Sequence, residues 1–398
     1  MKKVEVVVVG AGAAGMAAAK GAAGKGAHVL LLDNENWVGG ILQQCIHNGF
    51  GIHRYKEELT GPEFAERLKK EIPNDVEVMT GAFVHRIFPN ERKLIAISRN
   101  GIEEIHYESM VFATGARERT FQSLLIPGTR PAGIYTAGQA QRMINIDGYL
   151  PGKRVLVLGS GDVGLIMARR MHLEGMEVVG VIERLPYPGG LRRNVKQCLE
   201  DFDIPLHLSH TVVRVEGFPR LEKVIVSKVD ENFNPIPGTE KEFNVDTLIV
   251  SVGLIPVKKL LAKFVEVESG ILVSSAGQTS VDSIFAAGNV TTIFDLVDYV
   301  ANEGEKAGEN AALYAKGKFE GKRIPVKKGK GVKVLHPKWY DPSSHLSVYL
   351  RVEKPMKRAV VRIGKYEIEA EDLTPAEMVH VEIEPPCEDE IVVSVTEV

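Results

Sequence analysis

Near its start the chain reads VVVVGAGAAG (residues 6–15), an apolar strand pattern that runs into three glycines at a fixed spacing. Gly10 suits a tight turn, Gly12 lets a backbone approach a pyrophosphate, and Gly15 lets a helix pack closely on a strand. An Ala-rich run follows and predicts a helix, and HVLLLD (residues 28–33) predicts the next strand. The stretch therefore predicts a β-α-β unit with a dinucleotide-binding turn.

The ends of these predicted elements provide the groups that a dinucleotide needs. The start of the helix, around Ala14, offers backbone amides and a positive dipole end to phosphate. Asp33 closes the second strand and can accept hydrogen bonds from ribose hydroxyls. Glycine-rich turns also occur for packing alone, so the acid at this offset is what makes the pattern specific.

The same pattern occurs a second time, in RVLVLGSGDVG (residues 154–164) followed by the strand EVVGVIE. The second site would comprise the turn and the acid that ends the next strand: Gly159, Gly161, Asp162, Val163, Gly164 and Glu183. A carboxylate at position 183 favours the free 2′-hydroxyl of NAD(H) and repels the additional phosphate of NADP(H). Three arginines nearby leave NADP(H) open: Arg184, Arg192 and Arg193.

The composition is that of an ordinary globular protein of two or three domains, with 398 residues, 44% of them hydrophobic, and a net charge of -3. This balance, without a dense basic stripe, argues against nucleic-acid binding. No apolar stretch reaches the ~18 residues of a membrane span, so no membrane insertion is expected. Three scattered cysteines exclude a disulfide framework and favour a reduced, cytoplasmic location: Cys45, Cys198 and Cys387.

Further motifs follow in a defined order, with FATG at 112–115, SVG at 251–253 and TSVDSIFAAGN at 279–289. Over residues 1–320 this order resembles the two-dinucleotide flavoproteins of the glutathione reductase, thioredoxin reductase and NADH oxidase family. The resemblance implies FAD at the first site and NAD(P)H at the second. It implies further FAD contacts at Gly40, Thr114, Gly115, Gly288 and Asn289, and a further NAD contact at Gly253.

The segment that ends in Gly288 and Asn289 would run along the ribityl chain of FAD. The family usually has Asp where this chain has Asn289, and an amide can still hydrogen-bond ribityl hydroxyls. A helix is expected to begin near Asp295. Its positive end would then face the N1–C2=O edge of the flavin.

The predicted fold class is α/β, with two Rossmann-like domains arranged as in glutathione reductase and a small all-β domain at the C-terminus. The FAD domain would comprise residues 1–117 and 249–320, with the NAD(P) domain, 118–248, inserted between them. Alternating runs such as LSVYLRV and IVVSVTEV predict strands in the last domain, 321–398. We expect that domain to dock a partner; alternatively, it covers an exposed flavoprotein surface.

GGILQQC (residues 39–45) holds one cysteine where glutathione reductase relatives place two, and the segment 133–143, where thioredoxin reductases place Cys-x-x-Cys, holds none. A dithiol relay needs two sulfurs, so disulfide reduction of the usual type is excluded unless Cys45 pairs with a sulfur from elsewhere. We expect Cys45 near the flavin, or else as a small packed thiol. Cys45, His47 and His53 lack a fourth ligand, so no metal site is predicted.

A finer resemblance rests on ATGARERT (113–120), IYTAGQAQ (134–141) and the segment 39–68. These are similar to the FAD/NAD subunits of opine, sarcosine and proline dehydrogenase complexes and hydrogen cyanide synthase, and to flavoproteins paired with a glycerol-3-phosphate-dehydrogenase-like subunit. The resemblance implies an oligomer. In it, this chain would exchange hydride between NAD(H) and FAD, and a partner subunit would oxidise an amino or imino acid or glycerol 3-phosphate.

Two other interpretations remain open. One is a stand-alone NADH oxidase, or a thiol or persulfide reductase that uses Cys45. The other is a flavin-binding scaffold without activity. Turnover of NADH by the isolated chain in air separates the oxidase from the electron-transfer subunit.

Overall fold

The computed structural model describes residues 2–342, 345–384 and 389–398. The chain divides into two compact units. The first comprises the residues up to Arg117 and from Pro256 onward, and the second comprises Glu118–Ile255. The second unit is thus an insertion in the first. Cys387 lies outside the described residues.

Two helices and nine strands precede the insertion or lead into it. They are β1 (Lys2–Val9), α1 (Ala13–Gly24), β2 (Val29–Leu32), β3 (Asn48–Phe50), β4 (Leu59–Thr60), α2 (Gly61–Lys70), β5 (Glu77–Met79), β6 (Phe83–Phe88), β7 (Lys93–Ser98), β8 (Gly101–Phe112) and β9 (Ala116–Glu118).

The elements that follow, up to the return into the first unit, are β10 (Ile134–Thr136), α3 (Ala137–Asn145), β11 (Arg154–Leu158), α4 (Asp162–Leu173), β12 (Glu177–Ile182), α5 (Arg192–Cys198), β13 (Leu206–His207), β14 (His210–Glu216), β15 (Lys223–Lys228), β16 (Lys241–Asn244), β17 (Thr247–Val250) and β18 (Leu254–Pro256).

The last portion contains one long helix and otherwise strands. Its elements are β19 (Ile284–Ala286), α6 (Val297–Ala315), β20 (Ile324–Lys328), β21 (Val332–His336), β22 (Trp339–Tyr340), β23 (Leu346–Val352), β24 (Met356–Ile363), β25 (Tyr366–Leu373), β26 (Val379–Ile383) and β27 (Ile391–Glu397). Short 3-10 turns occur at Gly40–Gln44, Pro89–Glu91, Phe121–Leu124, Glu200–Phe202 and Gly288–Val290.

The main sheet of the first unit has a parallel part whose strands end together. Strands β5, β2, β1 and β8 lie side by side, and β19 pairs with the carboxyl half of β8. Val9 pairs with Leu32 on one side and with Phe112 on the other, and Phe112 pairs with Ala286. Because carboxyl ends of parallel strands form the ligand edge of such sheets, the segments after these four residues meet at one edge.

Helices α1 and α6 pack against each other at very short range. A Cβ on Gly304 would lie 2.2 Å from the carbonyl oxygen of Ala14, and one on Gly308 would lie 2.0 Å from that of Ala18. Glycine in α6 and alanine in α1 therefore allow the two backbones to touch. These contacts fix the first half of α1 against the middle of α6.

The second unit repeats the parallel arrangement on a smaller scale. Its sheet has the order β10-β17-β11-β12-β13, and Leu158 pairs with both Ile182 and Val250. Strands β14, β15 and β16 form a separate antiparallel sheet. Because β17 belongs to the parallel sheet, the chain leaves this unit at Pro256, whereas the sequence analysis placed the boundary at residue 249.

Residues 324–397 form two sheets with a core of their own, within the first unit. One sheet has the order β22-β20-β27-β24-β25 and the other β21-β23-β26. The side chains that alternate inward are fully buried, among them Val348, Leu350, Val361 and Val393. The strand-rich C-terminal region predicted from alternation is confirmed.

Candidate functional site

The first glycine turn connects β1 to α1. Gly10 has φ +101°, and a Cβ there would lie 2.4 Å from the carbonyl oxygen of Ala113. A Cβ on Gly15 would lie 1.6 Å from the carbonyl oxygen of Gly10. Gly12 differs, because a Cβ there would meet no atom of the described residues within 4 Å. Packing thus requires two of the glycines, while the third leaves open space at the start of α1, which is what a bound pyrophosphate needs.

Asp33 braces this turn from the end of β2. Its side chain is only 7% exposed, with Oδ2 accepting from the amide of Ala11 (2.5 Å) and Oδ1 from the amide of Glu35 (2.8 Å). Burial raises the pKa of Asp33, and the two amide hydrogen bonds only partly offset the effect. The predicted hydrogen bond between Asp33 and a ribose stays a prediction. The bracing contacts were not predicted.

The double glycine after β2 lies across the same turn. The amide of Gly39 donates to the carbonyl oxygen of Ala11 at 2.7 Å, and a Cβ on Gly40 would lie 3.1 Å from the Cα of Gly12. Gly40 therefore borders the open space beside Gly12. Side chains at these positions would narrow that space.

Two later segments reach the same edge of the sheet. Thr114 Oγ1 donates to the carbonyl oxygen of Val257 at 2.8 Å, and the amide of Val257 donates to Gly115 at 3.0 Å. A Cβ on Gly288 would lie 2.8 Å from the Cβ of Ala14. The structure thus brings these predicted FAD residues to the carboxyl edge of one sheet.

Asn289 follows directly and is half-buried. Its Oδ1 accepts from the amide of Phe294 at 3.1 Å. The donor that this residue can offer a ribityl hydroxyl is therefore its NH2 group. An Asp at this position would offer no donor when ionised, so the substitution changes the polarity of the contact.

Helix α6 begins at Val297, close to the predicted start, and its first turn contains a buried acid. The carboxylate of Asp298 accepts from the amides of Gly51 (3.2 Å), His53 (3.1 Å) and Arg54 (2.8 Å). A negative charge at a helix N-terminus is favourable, and here it also holds the loop that follows Cys45. Sequence reasoning missed Asp298, whose partners are far away in the chain.

Cys45 comes directly after the 3-10 turn that begins at Gly40. Its side chain is half-exposed, and Sγ lies 3.3 Å from the carbonyl oxygen of Ile41. Cys198 is buried in the second unit. The predicted proximity of Cys45 to the flavin is compatible with this position and stays a prediction.

The neighbouring histidines have local partners. His47 Nδ1 lies 2.9 Å from the carbonyl oxygen of Asn48, and the ring of His53 stacks on Tyr299 with centroids 5.9 Å apart. Across the described ranges, no group of three or more His, Cys, Asp or Glu side chains is arranged to hold a metal ion.

The second glycine turn connects β11 to α4 and has the geometry of the first. Gly159 has φ +101°, and a Cβ there would lie 2.0 Å from the carbonyl oxygen of Ser251. A Cβ on Gly164 would lie 2.7 Å from that of Gly159, whereas one on Gly161 would meet no described atom within 4 Å. The open side again lies at the start of a helix. The residues present therefore fit a second dinucleotide.

Glu183 braces the second turn as Asp33 braces the first. It is 7% exposed, and its Oε2 accepts from the amide (3.0 Å) and the hydroxyl (2.7 Å) of Ser160. Oε1 accepts from the amide of Leu185 at 2.9 Å. The preference of this carboxylate for NAD(H) over NADP(H) stays a prediction.

The remaining predicted residues of this site lie around the same turn. Asp162 Oδ1 accepts from the amide of Leu191 (2.8 Å) and from Asn194 Nδ2 (2.6 Å). Val163, in the first turn of α4, is 37% exposed. Gly253 follows β17 in this unit. The guanidinium of Arg184 lies 5.1 Å from the ring centroid of Phe233, on the 230–240 connection.

Helix α3 begins within the segment 133–143. Thioredoxin reductases have a Cys-x-x-Cys pair in this segment, and this chain has no cysteine there. Thr136 and Gln139 form a reciprocal capping box at its N-terminus. The carboxylate of Glu118 accepts from the amide of Gly138 (2.7 Å) and from the hydroxyl of Thr136. Glu118 thus caps a helix, a role that the sequence analysis did not predict.

Comparison with known proteins agrees with this geometry. Hydrogen cyanide synthase subunit HcnB of Pseudomonas aeruginosa is 27% identical over 271 residues, covering 63% of this chain and 57% of that protein. Thioredoxin reductase of Treponema pallidum is 25% identical over 319 residues, covering 78% and 96%. The crystal structure of T. acidophilum thioredoxin reductase matches with TM-score 0.64 and 25% identity, over 80% of this chain and 99% of that one. The match thus spans little more than half of the cyanide synthase subunit.

Among the helices of the described residues, none is long and apolar enough to cross a membrane. The family described as pyridine nucleotide-disulphide oxidoreductase matches residues 4–305. That range includes both glycine turns, both bracing acids and the segment that ends in Asn289. The chain therefore belongs to the pyridine nucleotide-disulphide oxidoreductase family, a family that binds FAD and NAD(P).

Proposed function

We propose that this chain is the electron-transfer subunit of a heteromeric dehydrogenase. It exchanges hydride between NAD(H) and FAD, and passes electrons to or from a partner that oxidises an amino or imino acid or glycerol 3-phosphate. One observation carries the proposal. Both dinucleotide turns are complete, but the segment 39–45 has a single cysteine, and the segment 133–143 has none and forms the capped start of α3. Cys45 is the single cysteine in the described part of the first unit.

The residues of each turn have distinct tasks in this proposal. Bound flavin supplies the acceptor for a hydride from nicotinamide and the means to release the electrons again. Asp33 holds the first turn and receives the ribose of FAD, and the amides at the start of α1 receive its pyrophosphate. Asn289 offers its NH2 group to the ribityl chain. Glu183 holds the second turn and receives the adenosine ribose of NAD(H).

The preference for NAD(H) over NADP(H) rests on the burial of Glu183. A 2′-phosphate beside a buried carboxylate would lose hydration and meet a like charge. Arg184, which could otherwise neutralise that phosphate, lies over the ring of Phe233. We therefore expect NADH to reduce the flavin faster than NADPH.

The partner subunit is proposed from relatives and from the C-terminal strands. HcnB is by its name a subunit, and the chain resembles it across both glycine turns. Residues 324–397 add a separately packed pair of sheets beyond the matched family range. We assign partner docking, and assembly into an oligomer, to this region.

A thiol or persulfide reductase is the second candidate function. The half-exposed Cys45, which directly follows the 3-10 turn Gly40–Gln44, favours it. A single thiol can be oxidised by a peroxide to a sulfenic acid, or can take the outer sulfur of a persulfide substrate and release that substrate as its thiol, without a second cysteine. In that case, replacement of Cys45 abolishes turnover.

Anaerobic and aerobic assays of the purified full chain test the main proposal. We expect a yellow protein with one FAD per chain. Its absorbance should be bleached by NADH without oxygen, and ferricyanide should reoxidise it quickly. Oxidation of NADH in air should be slow until the native partner, identified by co-purification, is added. Fast NADH consumption in air by the isolated chain would instead identify an oxidase, and absence of bleaching by NADH or NADPH would contradict hydride exchange.

A further inference from the structure

The first turns of α1 and α6 meet at the residues predicted to hold FAD. A Cβ on Gly288 would lie 2.8 Å from the Cβ of Ala14 and 3.1 Å from Cγ1 of Val300. Ala14 is the second residue of α1, and Val300 is the fourth of α6. Gly288 is followed by Asn289, which is predicted to contact the ribityl chain. The beginning of α6 therefore lies at the site predicted for the flavin.

The beginning of α6 carries the partial positive charge of a helix N-terminus, because its first amides have no acceptor within the helix. No side chain caps these amides. Positive charge near a flavin stabilises the negative charge that reduction adds to the isoalloxazine, and thereby raises the reduction potential. An acid in the same turn has the opposite effect, and α6 contains one, Asp298.

The carboxylate of Asp298 is buried without a cation. It is 1% exposed, and its hydrogen-bond donors are the amides of three residues in the loop 51–54. The guanidinium of Arg54 contacts Glu71 and Glu305 instead of Asp298. Among the described residues, no ion pair involves Asp298. Its negative charge is therefore stabilised by amide dipoles but is not neutralised.

Asp295, which precedes the helix, has the opposite arrangement. Its carboxylate pairs with the guanidinium of Arg351 and also accepts from the amide of Met378. The charge of Arg351 thus compensates the charge of Asp295. Of these two acids at the start of α6, Asp298 is the one that leaves a net negative charge at the helix end.

We propose that Asp298 lowers the reduction potential of the bound FAD by offsetting the positive end of α6. Holding the loop 51–54 does not by itself require a charge, because neutral oxygen acceptors also bind backbone amides. A buried carboxylate without a cation costs stability that a neutral acceptor would not. The charge of Asp298 therefore has a use beyond the loop, and the flavin predicted beside Gly288 is the group whose charge changes during turnover.

This inference rests on FAD at the first nucleotide site and deepens the proposed function. A lower potential favours oxidised over reduced flavin, so electrons leave the flavin more readily for NAD+ or for the partner subunit. The chemistry of the exchange is unchanged, because one hydride carries both electrons between flavin and nicotinamide in either direction. Asp298 would thus keep the exchange with NAD(H) reversible.

The reduction potential of the full-length, FAD-loaded chain tests this role directly. It is measured by slow chemical reduction without NADH, in equilibrium with a reference dye of known potential. Asp298→Asn and Asp298→Ser remove the charge and keep an oxygen that can accept from the loop. We expect both variants to shift the equilibrium toward reduced flavin roughly tenfold, a rise of about 30 mV for a two-electron couple.

Sulfite gives a second measurement that needs no reductant. It adds to N5 of oxidised flavin, and its electron pair forms the new bond, which leaves a negative charge on the ring. Both variants should therefore bind sulfite roughly tenfold more tightly than wild type. Glu309→Gln is the matched control, because Glu309 lies in the same helix far from its N-terminus and pairs with Lys25. It should keep the wild-type potential and sulfite affinity.

A neutral variant that retains FAD but has the wild-type potential and sulfite affinity would overturn the role of Asp298. So would an equal shift in Glu309→Gln. If neither variant retains FAD, wild type decides, because its potential should lie at or below that of free FAD measured in the same cell, and a clearly higher potential would overturn the role. A wild-type flavin that is reduced chemically but not by NADH would contradict the proposed function and leave the role of Asp298 intact.

Discussion

Glu303 on α6 and His336 on β21 form a buried pair, with Oε2 and Nε2 3.4 Å apart. The hydroxyl of Tyr349, on β23, donates to the other carboxylate oxygen at 3.5 Å. All three side chains are buried. The pair thus joins the C-terminal strands to the helix that begins at the first nucleotide site. The buried carboxylate of Glu303 has His336 and Tyr349 as its hydrogen-bond donors.

Acid should weaken this connection. Burial raises the pKa of Glu303, but the hydrogen bond and charge of His336 outweigh that effect and hold the pKa below its usual value. A carboxyl group with a lowered folded-state pKa adds stability above its unfolded pKa of about 4.3 and loses it as the pH falls through the folded value. We expect the free energy of unfolding, from urea curves between pH 3 and 7, to fall less steeply in acid for Glu303→Gln than for wild type.

At pH 7 the same variant should be about 1–3 kcal/mol less stable, because it leaves buried donors without their charged acceptor. Glu309→Gln, on the same helix but at a partly exposed position where it pairs with Lys25, is the control and should stay close to the wild-type curve. Parallel acid profiles of Glu303→Gln and wild type would show that the pair does not set the pH dependence.

Arg54 should matter more to stability than an exposed arginine does. Its Nη2 contacts Glu71 (3.1 Å) and Glu305 (2.6 Å), and its side chain is only 10% exposed. Arg54→Met should lower the free energy of unfolding by about 1–3 kcal/mol, because Glu71 and Glu305 lose the charge-assisted hydrogen bonds of Arg54 and keep only Lys20 as a cation. Arg67→Met breaks an exposed pair with Glu57 and should have a much smaller effect. Equal urea midpoints for both variants would refute a special role of Arg54.

Cys45→Ser should keep FAD content and the rate of flavin reduction by NADH close to wild type. Hydride passes from nicotinamide to flavin without sulfur in the proposed function, and a hydroxyl can replace the thiol contact with Ile41. Bound FAD and stopped-flow bleaching are the measurements. A variant that binds FAD normally but cannot pass electrons from NADH to ferricyanide would show that Cys45 takes part in electron transfer. It would favour the thiol-reductase function over the proposed one.

Glu183 should affect nucleotide choice and turn stability separately. Glu183→Gln keeps an acceptor for Ser160 and removes the negative charge. The ratio of kcat/KM for NADPH to kcat/KM for NADH should therefore rise roughly tenfold, which corresponds to about 1.4 kcal/mol. Glu183→Ala also removes the brace and should weaken both nucleotides. If wild type already uses NADPH as well as NADH, the assignment of NAD(H) is wrong.

The sequence analysis succeeded where the deciding contacts are local. Gly10 and Gly159 lie in strand–turn–helix patterns of fixed spacing, so both turns and the paired domains could be predicted. The hydrogen bond from the amide of Ala11 to Asp33 lies within the same β-α-β unit. It could not be predicted from the sequence, because it depends on atomic positions rather than on spacing. Asp298 and Glu303 have partners hundreds of residues or several strands away, and no periodicity reveals such contacts.

The cap on α3 restricts how this chain could ever become a disulfide reductase. A Cys-x-x-Cys pair introduced at positions 136 and 139 would replace Thr136 and Gln139, which together form the capping box. It would also leave the carboxylate of Glu118 beside the new thiols, where a negative charge opposes thiolate formation. Dithiol chemistry at these two positions would therefore need a third replacement, of Glu118, in addition to the two cysteines.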